Sequence, residues 1–257
     1  MKFYGKTDTG KVRLENQDCF GIYQILPGVT LCVVCDGMGG VSGGATASRE
    51  ALDAFAEAIR DSILPDDPQG TPDLGNTSLR FAMSGAVEAA NRAVWEKANN
   101  DTTGKLAGMG TTLVALLIVE NGLAYALNVG DSRLYQIRNN KITQLSRDHS
   151  YVQDLIDMGK LTYEEARQFP MRNVITRAVG IQSAVRADIF SVDTEKAENE
   201  KCIFLLCSDG LCGPLRDEDI IQIVNSDDKP DKKVESLVAA ANNAGGPDNI
   251  TVVLAEV

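Results

Sequence analysis

The chain has 257 residues, 44% of them hydrophobic and 24% charged, the balance of an ordinary globular domain with room for a sizeable core. Its formal net charge of -11 sets up a field that opposes nucleic acid and anionic membrane surfaces. No apolar run approaches a membrane span, and Met1-Lys-Phe-Tyr-Gly-Lys-Thr-Asp8 lacks the apolar core of a signal peptide, which points to the cytoplasm.

In chain order, the pattern predicts strands over 2–7, 19–25 and 30–35. Two long helices follow. Ala47, Ala51, Ala54, Phe55, Ala58 and Ile59 recur at helical spacing, as do Leu79, Met83, Ala86, Val87, Ala90 and Val94. The segment between them, from Pro65 to Asn76, is rich in turn formers and reads as a surface connection. Strands over 111–119 and 123–129 flank Glu120-Asn121-Gly122, and strands over 133–137 and 141–145 flank Arg138-Asn139-Asn140, so both pairs read as hairpins. Ser150 with Gln153, and Thr162 with Glu165, fit capping boxes that open two short helices. Strands over 185–192 and 202–207, helices near 219–224 and 232–243, and a closing strand over 250–256 complete the chain. Hairpins and paired helices imply α+β architecture, with helices outside two packed, mostly antiparallel sheets. With no repeat or linker, the chain reads as one domain over 1–257, and 146–180 is its most separable piece, a flap.

The six cysteines include Cys32-x-x-Cys35, inside an apolar strand-like run. An offset of three in a strand sends two side chains to opposite faces, so buried, inert thiols are expected, as in a reducing compartment. The single histidine, His149, lies beside Asp148 at a helix start and reads as a cap or surface residue. With one histidine, His-rich zinc sites are excluded. Gly5-Lys-Thr-Asp-Thr-Gly10-Lys11-Val12 nearly matches a phosphate-binding loop, but Val12 has no hydroxyl and no helix follows.

Carboxylates remain. Asp36 closes the apolar run Leu31-Cys-Val-Val-Cys and precedes Gly37; Asp209 closes Ile203-Phe-Leu-Leu-Cys-Ser and precedes Gly210. Asp18, Asp131 and Asp248 also lie at strand ends or in their loops. Any one Asp-Gly is more often a tight turn, but the set together makes an all-oxygen site, which favours Mg²⁺ or Mn²⁺ over zinc. Two such ions sharing a carboxylate would activate a bridging water for in-line attack on phosphorus. Arg13 is the guanidinium available to hold the phosphate.

Seven segments then carry a family resemblance: Thr7-Asp-Thr-Gly-Lys-Val-Arg13-Leu-Glu-Asn-Gln-Asp18, Asp36-Gly-Met-Gly-Gly40, Gly108-Met-Gly-Thr-Thr112, Gly130-Asp-Ser-Arg133, Arg172-Asn-Val-Ile-Thr-Arg177, Ser208-Asp-Gly210 and Gly246-Pro-Asp-Asn249. In this order the chain resembles the metal-dependent, type 2C serine/threonine protein phosphatases in their compact bacterial form. The resemblance implies a β-sandwich between helices, with a binuclear Mn²⁺ or Mg²⁺ centre at one edge. It implies that Asp36 bridges both ions, that the Gly37 carbonyl binds the second, and that Asp209 and Asp248 bind the first. Asp131 with Asp209 would serve a third, weaker ion. Asp18 would orient the attacking water, Arg13 would clasp the phosphate, and Arg172-Asn173 on the flap would touch substrate. Water would attack directly, without a phosphoenzyme. The implied partners are phosphoserine and phosphothreonine proteins and a Ser/Thr kinase whose action is reversed; nothing calls for more than a monomer. The alternatives are a catalytically silent phosphoprotein-binding module and a small phosphate-ester hydrolase. Three departures stand out: Gln17 where the family has Glu, Met38 and Val41 where relatives carry histidine, and Gly213 where some carry aspartate.

Overall fold

The structure, a computed structural model, describes residues 1–64, 71–120, 122–194 and 201–257, without the side chains of Val41 and Ser42. Residues 65–70 of the predicted surface connection, and Asn121 of the first predicted hairpin turn, lie outside the described residues, as does the side chain at the Val41 departure. Among the described residues, eleven strands and seven helices follow in the order β1 (Lys2–Asp8), β2 (Asp18–Leu26), β3 (Val29–Met38), α1 (Gly40–Ile63), α2 (Asn76–Asn100), β4 (Gly110–Thr111), β5 (Leu113–Val119), β6 (Ala124–Val129), β7 (Arg133–Arg138), β8 (Lys141–Gln144), α3 (Tyr151–Asp157), α4 (Tyr163–Gln168), β9 (Asp188–Ser191), β10 (Cys202–Cys207), α5 (Asp209–Cys212), α6 (Asp217–Val224), α7 (Pro230–Asn243) and β11 (Ile250–Glu256). One sheet runs β1-β11-β10-β7-β8; the other runs β2-β3-β5-β6-β9, with β4 beside β3. Every named strand pairing is antiparallel.

Strand alternation builds four layers. On β3, Leu31, Val33 and Cys35 face the α1–α2 pair, while Cys32 and Val34 face the opposite sheet. β5 repeats this, with Leu113, Ala115 and Leu117 toward the helices and Val114, Leu116 and Ile118 toward the other sheet. On β10, Phe204 and Leu206 enter the space between the sheets, while Ile203 and Leu205 pack with Val234 and Leu237 of α7. Both faces of the central strands are therefore buried, which explains their continuous apolar runs. Each fully buried aliphatic side chain there contributes roughly 1.5–3 kcal/mol. The Cys32–Cys35 offset resolves as expected, and all six cysteines are free and buried.

Several expected boundaries shift for identifiable reasons. The predicted 111–119 strand is broken at Thr112, which bonds the backbone of Asp36. The 185–192 strand shrinks to β9 because the register sets its first residue, Asp188, opposite Asn128, one residue before its partner β6 ends. The short α5, directly after β10, was not expected. Thr162 and Glu165 form a complete capping box, but Ser150 caps alone, because the Gln153 amide turns instead to Asp157 Oδ1 at 2.7 Å. Among the described residues, no helix is long and apolar enough to cross a membrane.

Candidate metal centre

The five aspartates come from both sheets. The β2–β3 register places Asp18 directly opposite Asp36. Asp209 opens α5 after β10, Asp248 lies in the turn before β11, and Asp131 lies where the chain leaves β6 of one sheet for β7 of the other. Like charges facing across a strand pair are unfavourable, so their backbones must be held firmly. Thr112 supplies much of that hold at Asp36. Its Oγ1 accepts from the Asp36 N–H at 2.9 Å, its own N–H donates to the Asp36 carbonyl at 2.9 Å, and its Oγ1 lies 2.7 Å from Ser132 Oγ, beside Asp131. Thr111 Oγ1 donates to the same Asp36 carbonyl at 2.9 Å. Ser208 Oγ donates to Asp18 Oδ2 at 2.7 Å and accepts from the Thr251 N–H at 3.0 Å. Gly37 is closely walled in: a Cβ there would lie 2.0 Å from the Gly44 carbonyl oxygen of α1.

Arg13 is exposed on the β1–β2 loop, and its Nη2 donates to Asp248 Oδ2 at 2.7 Å. That bond spends one of five guanidinium N–H donors and leaves the rest of the fork for an anion. Asn249 anchors this loop. Its amide nitrogen donates to the Thr9 and Glu15 carbonyls, each at 2.9 Å, and its Oδ1 accepts from the Gln17 N–H at 2.8 Å. The Gln17 side chain donates to the Gly40 carbonyl at 2.7 Å, a bond an ionised glutamate cannot make.

Burial pushes the Asp36 carboxyl well above the usual range, and Asp18, Asp209, Asp131 and Asp248 push it further. Burial raises Asp18 to about 7, with Asp209 adding to it against the Ser208 bond. Burial, then Asp209 and Asp148, raises Asp131 to about 8, and burial followed by Asp248 raises Asp209. Asp18 Oδ1 and Asp209 Oδ1 are buried without a hydrogen-bond partner. Orphaned buried acceptors amid mutually repelling carboxylates fit a divalent cation, and an all-oxygen set fits Mg²⁺ or Mn²⁺. Among the described residues, no three His, Cys, Asp or Glu side chains are grouped so that they could hold a metal ion by themselves.

The raised pKa values carry a sign. An unfolded aspartate titrates near 3.9, so between about 4 and 8 the folded protein binds more protons than the unfolded chain. This stabilisation is complete below about 4 and is lost as pH rises through the folded values. In chelator the melting temperature should fall between pH 5 and pH 8, whereas excess Mn²⁺ should flatten or reverse the fall. Calorimetry that finds no pH-dependent gap between the two conditions would refute the electrostatic reading.

Beside the carboxylates lies a groove of about 850 Å³, lined by Arg13, Asp131, Asp209 and Asp248 on one side and by Arg172 and Asn173 of the flap on the other. Asp18, Asp36 and Gly37 do not line it. The flap crosses the groove: Arg167 Nη2 donates to the Gly213 carbonyl at 2.8 Å, and Arg216 Nη1 pairs with Glu164 at 3.1 Å. At the flap base, Arg133 grips Asp148 through Nε at 3.0 Å and Nη2 at 2.7 Å. His149 is not a surface residue. It is fully buried, its Nδ1 accepting from the Gly130 N–H at 3.1 Å and its Nε2 lying 3.1 Å from Asp188 Oδ2. Burial lowers its pKa and keeps the ring neutral. Sequence reasoning also gave no role to Thr112, Ser208 or Asn249; each stands next to a candidate ligand or within a resembling segment, the only signal available.

A two-sheet sandwich between helix pairs, with aspartates meeting at the edge shared by both sheets, defines a metal-dependent phosphatase class. The chain belongs to the protein phosphatase 2C family, whose model matches residues 10–249. It is 37% identical over 248 residues to the protein phosphatase PhpP of Streptococcus pneumoniae, covering 96% of this chain and 94% of that protein. The crystal structure of serine/threonine phosphatase Stp1 from Staphylococcus aureus superposes with a TM-score of 0.88 at 29% identity, covering 100% of this chain and 94% of that one. The catalytic domain of serine threonine protein phosphatase PstP, in complex with two manganese ions, superposes with a TM-score of 0.80 at 32% identity, covering 100% and 98%.

Proposed function

We propose that the chain removes phosphate from phosphoserine and phosphothreonine in proteins, with Mn²⁺ or Mg²⁺ held by its aspartates. The observation that carries this is five carboxylates from two sheets, two with unpartnered buried oxygens, beside Arg13 at the mouth of an open groove. Asp36, the Gly37 carbonyl, Asp209 and Asp248 would hold two ions, and Asp131 with Asp209 a third. When bound, these ions supply charge neutralisation at the phosphate and a nucleophilic water at neutral pH. The remaining work falls to the chain. Arg13 offers its free donors to the phosphate oxygens. Asp18, fixed by Ser208, presents Oδ1 to the attacking water. Arg172 and Asn173 face substrate across the groove. His149 is committed to Gly130, Asp188 and Arg177 and is not the acid for the leaving alkoxide, and water attacks phosphorus directly, without a phosphoenzyme.

The proposed setting is a single domain over 1–257, with residues 146–180 as its flap, working as a cytoplasmic monomer against a Ser/Thr kinase. In the test, phosphate release from a phosphothreonine peptide and from p-nitrophenyl phosphate is measured with Mn²⁺ and with chelator. Mn²⁺-dependent release, with the peptide preferred in kcat/KM, is expected. Preference for the small ester would move the assignment to a small-ester hydrolase. Absence of release from a folded, ion-loaded protein would point to a silent binding module.

A further inference from the structure

Gly130 turns the chain from β6 to Asp131, and all its polar atoms are engaged. Its N–H donates to His149 Nδ1 at 3.1 Å; its carbonyl accepts from the His149 N–H at 2.9 Å and from Asn128 Nδ2 at 3.2 Å. Its φ of +104° requires glycine, and a Cβ would lie 2.6 Å from Thr112 Cγ2, so the turn cannot simply be stiffened by a larger residue. A backbone N–H only donates, so Nδ1 accepts; Nε2 faces both the donor Arg177 Nη1 at 3.0 Å and the acceptor Asp188 Oδ2 at 3.1 Å, and that acceptor assigns the ring proton to Nε2, a tautomer read from the network. That Nε2–H points to Asp188 Oδ2, and Arg177 Nη1 donates to Asp188 Oδ1 at 3.0 Å. The same residue closes the neck of the flap, where the Thr176 N–H donates to the His149 carbonyl at 2.8 Å and Ser150 bridges Ile175.

We infer that His149 is a positioning residue for Asp131: its imidazole, oriented by Asp188, fixes the Gly130 peptide and thereby holds the Asp131 carboxylate beside Asp209. The inference rests on the proposed role of Asp131 toward a third ion. Groups that orient a ligand from behind typically change ion affinity by about 10–100-fold when removed.

The test counts bound Mn²⁺ from the free-ion EPR signal, in the wild type, Asp131→Asn, His149→Asn and His149→Gln. Asparagine places an acceptor oxygen where Nδ1 sits. Glutamine places its amide where Nε2 sits and leaves the Gly130 N–H unpaired. The wild type should bind two ions tightly and a third more weakly, and Asp131→Asn should lose the third. His149→Gln should weaken the third at least about tenfold and leave the two tight ions unchanged. His149→Asn should stay within about twofold of wild type. A wild type without a third ion, or an Asp131→Asn protein that keeps it, overturns the role of Asp131 and the inference with it. Loss of the third ion in Asp131→Asn, with equal affinities in the two His149 variants, overturns the inference alone. A measurement free of mutation covers variants that fail to fold. In ¹⁵N-labelled wild type, Mg²⁺ titrated over the weak-ion range should shift the Gly130 amide and His149 Nδ1 together, and unmoved resonances would overturn the coupling.

Discussion

The Asp36→Asn protein is expected to fold and to release phosphate at least about a thousandfold more slowly than wild type, the rate equivalent of losing roughly 4 kcal/mol of charge stabilisation. The side chain is nearly isosteric, and the backbone bonds to Thr111 and Thr112 do not involve it, so β3 should keep its place. What changes is charge: an amide offers one neutral oxygen where the proposed ions would share a carboxylate. The same substitution should have the opposite effect on stability without ions. Asp36 is crowded by burial and by Asp18, Asp209, Asp131 and Asp248, so neutralising it relieves repulsion and should raise the melting temperature in chelator. Slower turnover together with a stabler chelated protein is a signature that general misfolding cannot produce. Near-normal turnover in a folded Asp36→Asn protein would dispose of the metal assignment.

Gly37→Ala should be the most damaging conservative change at the site. Its added methyl would lie 2.0 Å from the Gly44 oxygen, 2.5 Å from the Gly44 carbonyl carbon and 2.6 Å from the Gln17 oxygen, all backbone atoms with no rotamer to yield. Relief requires β3, the start of α1 or the β1–β2 loop to move, at a cost of about 3 kcal/mol. Any such movement carries the Gly37 carbonyl and Asp36 with it, so turnover should fall too. Gly85→Ala is the matched control: Gly85 lies within α2, and a Cβ there meets nothing within 4 Å. It should stabilise by about 0.5–1 kcal/mol. Urea titrations compare the two, and a Gly37→Ala midpoint equal to wild type would show that the wall around Gly37 gives way easily.

The elements were legible where burial imposes a period. β3, β5 and β10 announce themselves because both faces meet apolar layers, and α1 and α2 because one face meets a sheet. The ligand candidates were legible because five aspartates fall at strand ends or in their loops, a coincidence that the tight turn explaining any one Asp-Gly does not cover. What stayed hidden depends on contacts between residues distant in the chain. Nothing local marks Thr112 as the support of Asp36, 76 positions away, or Asn249 as the anchor of a loop more than 230 positions earlier. His149 looked like a cap because its true partners, Gly130 and Asp188, come from other elements. The four-residue α5 was too short to show a period at all.

The space between the two sheets is filled by Val34, Leu116, Phe204, Leu206, Val253 and their neighbours, whose contacts have no preferred direction. Such a layer holds the two sheets together through buried area and close packing. The carboxylates sit where that matters, with Asp18 and Asp36 fastened to one sheet and Asp209 and Asp248 to the other. A cation held as proposed from both sides would act as a rivet through the sandwich, tying the carboxylates of one sheet to those of the other.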